Sequence, residues 1–119
     1  MGWTNNAKDG MLTQVRGRVT DLSIHTADPT TVGDNEVTGG SPAYARVAVT
    51  AADFTVANDG AFTLNNDKPF SGPAGASATF YGAWDGVTFL GGGAITGDTL
   101  FNAEGDFVLK TGTAMDLNA

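Results

Sequence analysis

The chain has 119 residues, enough to bury one modest core, and is expected to form a single domain over residues 1–119. Its net charge of -7, from 13 acidic against 6 basic residues, would repel a phosphate backbone and argues against a nucleic-acid partner. The absence of cysteine removes disulfides, thiolate metal sites and thiol nucleophiles, and no apolar run approaches the ~20 residues that span a bilayer, so a soluble chain without a membrane partner is expected.

Residues 1–19 read as an N-terminal arm and helix, and residues 20–119 as a β domain. Ala7, Met11, Val15 and Val19 recur every four residues, Leu12 lies beside Met11, and Thr4 or Asn5 can cap the first turn, so a short amphipathic helix is predicted over residues 4–19. Gly10 and Gly17 each weaken it by up to about 1 kcal/mol relative to Ala, so it needs a partner surface to pack on. Lys8, Arg16 and Arg18 share this segment with Asp9 and Asp21, which reads as a solvated face or a dock for an acidic surface.

Leu22 and Ile24 alternate with Asp21, Ser23 and His25, the pattern of a strand buried on one face. Asp28-Pro29 stops it. Residues 30–42 are rich in Thr, Gly, Asp and Asn and are predicted to form an exposed loop that includes Asp34, Glu36 and Ser41. Residues 44–50 alternate again, with Ala45, Val47 and Val49 on one side, and Phe54 and Val56 continue as a short strand. Asn58-Asp59-Gly60 supplies a hairpin turn from which Phe62 and Leu64 return.

Residues 69–75 read as a loop and 77–84 as a strand, after which Asp85-Gly86 predicts a type I′ hairpin turn into residues 87–90. The glycine triplet at 91–93 reads as a bulge or a close backbone approach, and residues 94–95, 99–101, 106–110 and 114–117 as further short strands. With 17 glycines punctuating so many short runs, the fold class is mainly β: a compact antiparallel β-sandwich or small barrel with one short N-terminal helix.

The chemistry-bearing residues are sparse. His25 is the sole histidine, so no histidine metal cluster is possible, and a hydrogen-bonded structural role at a strand end is expected. Asp28, Asp34 and Glu36 offer oxygens to a hard cation, yet their spacing does not match a calcium-binding loop, so neither metal nor cofactor is expected. Phe80, Tyr81, Trp84 and Phe89 would suit stacking on a sugar, although strand alternation sends Tyr81 to the opposite face from Phe80 and Trp84.

Two blocks, LSIHTADPTTVGDNEVTGGSPAYARVAV at residues 22–49 and FYGAWDGVTFLGGGA at residues 80–94, give the chain a family likeness. It resembles small virion structural proteins of tailed bacteriophages, which are tail-fibre-like, minor tail or capsid-surface proteins with an IHTADP…EVTGGSPAYAR pattern. The resemblance spans most of residues 4–117 and implies a non-enzymatic building block of the virion, assembled in the host cytoplasm. The expectation is a capsid decoration, or cement, protein on the outer shell, in contact with the major capsid protein. The alternative is a tail-fibre or minor tail module among tail proteins, possibly a host carbohydrate-binding adhesin that would expose Trp84 or Tyr81. A homo-oligomer is expected, with a trimer as one form. Its interface candidates are Trp3, Met11, Leu12, Val15, Arg16 and Arg18, and its exposed loop candidates are Asp28, Asp34, Glu36 and Ser41.

Overall fold

The computed structural model describes residues 3–116. Met1 and Gly2 of the expected arm and Leu117 of the last expected strand lie outside the described residues. The helix α1 (Asn5–Arg18) begins where Thr4 accepts a hydrogen bond from the Ala7 amide at 3.2 Å, as its capping residue predicts. The face it buries is turned from the predicted one: Leu12, 3% exposed, and the half-buried Val15 pack inward with Val19, while Met11 is 38% exposed. Residues 12, 15 and 19 follow the i, i+3, i+7 spacing of a helix more closely than a strict four-residue repeat, which drifts around the axis.

Eight strands follow among the described residues: β1 (Asp21–His25), β2 (Val47–Ala48), β3 (Ala61–Thr63), β4 (Lys68–Ser71), β5 (Phe80–Asp85), β6 (Thr88–Ala94), β7 (Asp106–Leu109) and β8 (Ala114–Asp116). All pairings are antiparallel. They form a four-stranded sheet in the order β2-β1-β5-β6 and two ladders, β3-β8 and β4-β7. The expected class is met: a mainly β, antiparallel molecule with one helix near its N-terminus.

The register of β1 on β5 opposes Leu22 to Ala83 and Ile24 to Tyr81, so these four side chains share one face. That face meets Phe62, Phe70, Phe107, Leu109 and Met115 from the ladders, and Leu64 just past β3, in one core. Each fully buried side chain of the Val, Leu or Phe kind contributes roughly 1.5–3 kcal/mol, so this core is the main source of stability in a chain without disulfides.

Five further expectations are corrected. Ser23 and His25, read as solvent-facing, are fully buried, because loop 26–46 folds back over the second face of the sheet. The strand read over 44–50 narrows to β2, and the strand read through Phe54 and Val56 is instead a 3-10 turn (Ala51–Asp53) and an isolated bridge from Phe54 to Leu64. Pro69 and Phe70, read as loop, lie in β4, which pairs only with β7; a proline is tolerated there because an edge strand leaves one row of amides unpaired. Finally, the β5–β6 hairpin turns through Gly86 and Val87, one residue later than read. Only Gly86 has positive φ (59°), which is the requirement of a type II′ turn. Val87 stands at its tip, 92% exposed.

Candidate functional site

The second face of the four-stranded sheet carries the most ordered group of polar side chains, and it starts from a strand rule. Ser23 and His25 are two residues apart on β1 and therefore point the same way. Gly82 lies opposite Ser23, and a Cβ there would come within 2.5 Å of Ser23 Oγ and 2.8 Å of His25 Nε2, so only glycine leaves room for both. Trp84 Nε1 donates to Ser23 Oγ at 2.8 Å, Ser23 Oγ lies 2.7 Å from His25 Nε2, and His25 Nδ1 lies 2.6 Å from the Asp34 carbonyl.

The carbonyl can only accept, so Nδ1 carries the ring proton and Nε2 accepts from Ser23. One directed chain of hydrogen bonds runs from the indole to the loop backbone. It is built on a neutral imidazole: a proton on Nε2 would turn that nitrogen from acceptor to donor and leave the Ser23 hydroxyl proton without its partner. Burial holds the His25 pKa below its ordinary 6.5, opposed by the Asp34 carbonyl and the Glu36 carboxylate.

Loop 26–46 is fastened over this face. Gly33, at φ 81°, lies so close that a Cβ would sit 2.7 Å from the Trp84 ring. Arg46 lays its guanidinium 3.5 Å from the centroid of that ring and binds Glu36 through two hydrogen bonds of 2.9 Å. The Tyr44 hydroxyl donates to Glu36 at 2.8 Å and accepts from the Ile24 amide at 2.9 Å, tying the loop to β1. Burial would raise the Glu36 pKa, but the hydrogen bonds from Arg46 and Tyr44 outweigh it and hold the carboxyl below its ordinary value. The stacked cation, the paired carboxylate and the satisfied hydroxyl are a fastening, with each group spent on another group of the same chain.

The loop candidates divide accordingly. Asp28 and Asp34 are exposed and shape the turn: Asp28 accepts from the Thr30 amide at 2.8 Å and Asp34 from the Thr30 hydroxyl at 3.1 Å. Ser41 is exposed and precedes a cis proline bond to Pro42. Glu36, expected to be exposed, is half-buried, because Arg46 and Tyr44 draw it onto the sheet. Among the described residues, no three His, Cys, Asp or Glu side chains gather as a metal set.

The helix candidates also separate. Trp3 is 68% exposed ahead of α1, Met11 is partly exposed, and Arg18 is exposed and paired with Asp85 at 3.1 Å. Leu12 is sealed in the core and Val15 packs against it. Arg16 is half-buried and donates to the Phe54 carbonyl at 2.9 Å. The aromatic platform does not form: Trp84 is 7% and Tyr81 4% exposed, under loop 26–46 and within the core respectively. Sequence reasoning missed Ser23, Tyr44 and Arg46. The two-residue spacing of Ser23 and His25 was a readable signal, whereas the pairing of Arg46 with Glu36 and Trp84 depends on where the loop lands.

A family model described as podophage GP4 fiber I protein gp80 matches residues 14–108, and the chain belongs to that family of phage structural proteins. No curated protein and no solved structure matches the chain.

Proposed function

We propose that this chain is a fibre module of a podophage virion, present in few copies and working as a non-enzymatic building block in contact with other virion proteins. The observation that carries this reading is the family match over residues 14–108. The fold supports it, since the groups that sequence alone offers to chemistry are spent on holding loop 26–46 to the sheet. The family description favours the fibre reading over the capsid-decoration one. A sugar-binding role through Trp84 or Tyr81 loses its support with the burial of both rings.

The exposed contact candidates in this reading are Trp3, Met11 and Arg18 around α1, with Asp28, Asp34 and Ser41 on the loop; a homo-oligomer built through them, a trimer among the options, belongs to the same proposal. The deciding experiment is quantitative mass spectrometry of purified virions against the major capsid protein. A handful of copies per particle is the expected result. A ratio near one per capsid subunit, or one per three, would return the protein to the capsid surface, and its absence from particles would overturn the structural reading.

A further inference from the structure

Strand β6 is one edge of the four-stranded sheet, and among the described residues β8 is paired only with β3. The two open edges border one trough. Its first half is a cavity of about 170 Å³ walled by apolar side chains, among them Leu12, Val15, Phe62, Leu90 and Met115. The second half, of about 470 Å³, is polar and runs between Gly92–Thr96 on one bank and Lys110–Ala114 on the other. Tyr81 and Gly92 line both halves, so the trough is continuous along β6.

Backbone groups on both banks face into it. The Ile95 amide donates across the ladder to the Thr79 carbonyl at 2.8 Å, so by the alternation of an antiparallel pair the amides of Ala94 and Gly92 turn away from β5. On the other bank the Leu64 amide donates to the Thr113 carbonyl at 2.9 Å, which turns the Ala114 amide and carbonyl away from β3. The Tyr81 hydroxyl donates to that carbonyl at 2.8 Å and marks the floor. No backbone hydrogen bond joins β6 to β8 among the described residues.

We propose that this trough receives one extended strand from another protein of the virion, which pairs with β6 on one side and β8 on the other and closes the two sheets into one. The proposal rests on the fibre reading above. Main-chain pairing is the recognition chemistry that two facing free edges offer. The seven residues of β6 span about 23 Å, which sets the length of extended chain that the trough can pair with. A second copy has its own β6 edge to offer, but β8 stands in front of that edge as the opposite bank. The arm that fits is uncharged over most of its length, with aliphatic side chains at alternate positions over the apolar half. It carries small, hydroxyl or acidic residues over the half where Lys110 is the one charged residue among the described lining residues.

Hydrogen exchange of the free protein and of the same protein in purified virions, read by mass spectrometry, tests this. Exchange over residues 90–96 and 112–116 is expected to slow at least about ten-fold in the particle, with core amides unchanged. Ala94→Pro removes one edge amide at an exposed position and is expected to leave the melting temperature of the free protein in place while abolishing incorporation. Protein found in particles with these amides exchanging as in the free state overturns the strand and leaves the fibre reading standing. Protection that rises with concentration in the free protein assigns the trough to a second copy and overturns the foreign arm. Absence of the protein from virions overturns the fibre reading, and the arm with it.

Discussion

His25 is fully buried with both ring nitrogens committed, so the pH dependence of this fold has a definite sign. Its folded pKa lies below the unfolded 6.5, so the unfolded chain binds the proton more readily. The stabilisation is therefore complete above pH 6.5 and is lost as pH falls through that value toward the folded pKa. The melting temperature is expected to drop between about pH 7 and 5, and His25→Gln, which removes the titrating group, to flatten that drop. The lowered carboxyl pKa of Glu36 acts in a lower window, where stability is lost as pH falls below the ordinary value of 4.5, so the two effects separate on the pH axis. Gly82→Ala is the steric counterpart. Its methyl meets Ser23, His25 and Phe89 at 2.5 to 2.9 Å, and a loss of about 2–3 kcal/mol is expected in denaturant unfolding.

At the scale of elements, α1 tests which stripe is buried. Leu12→Ala is expected to cost about 2–4 kcal/mol and Met11→Ala less than about 1 kcal/mol; equal losses would show that the helix does not dock as described. A methyl at Gly10 or Gly17 meets nothing within 4 Å, so Gly10→Ala and Gly17→Ala are each expected to stabilise by about 0.5–1 kcal/mol, read as a raised melting temperature. Local signals were legible in the sequence: the cap at Thr4, the turn at Asn58-Asp59-Gly60, and the glycine triplet, whose Gly92 passes the Tyr81 carbonyl too closely for any side chain. Long-range contacts were not. Alternation in β1 described one buried face because nothing local in Asp21–His25 announces that a loop ending some twenty residues later covers the other. Pro69 hid β4 because the rule that expels proline from strands relaxes at an edge.

The whole molecule reads as a sheet held between two unlike covers: an apolar core beneath, and a loop fixed by hydrogen bonds and one stacked cation above. These covers are expected to fail separately. In a Trp3→Phe background, Arg46→Ala should red-shift the emission of Trp84 and speed amide exchange across residues 26–46, while exchange in β4 and β7 stays slow. Loss of protection in all of these together would mean that the loop is integral to the core. The mainly β class was legible from composition and turn spacing, and the resemblance to phage structural proteins agrees with the family match over residues 14–108. The unpaired banks of β6 and β8 were not, because an open edge exists only once the strands have been placed.

The tip of the β5–β6 hairpin has a practical use. Val87 protrudes almost entirely into solvent, and the chain contains no cysteine, so Val87→Cys would introduce a lone thiol at a known corner of the fold. Coupled to maleimide-gold, it would turn each bound copy into a visible marker under the electron microscope, reporting which way this corner points on the particle.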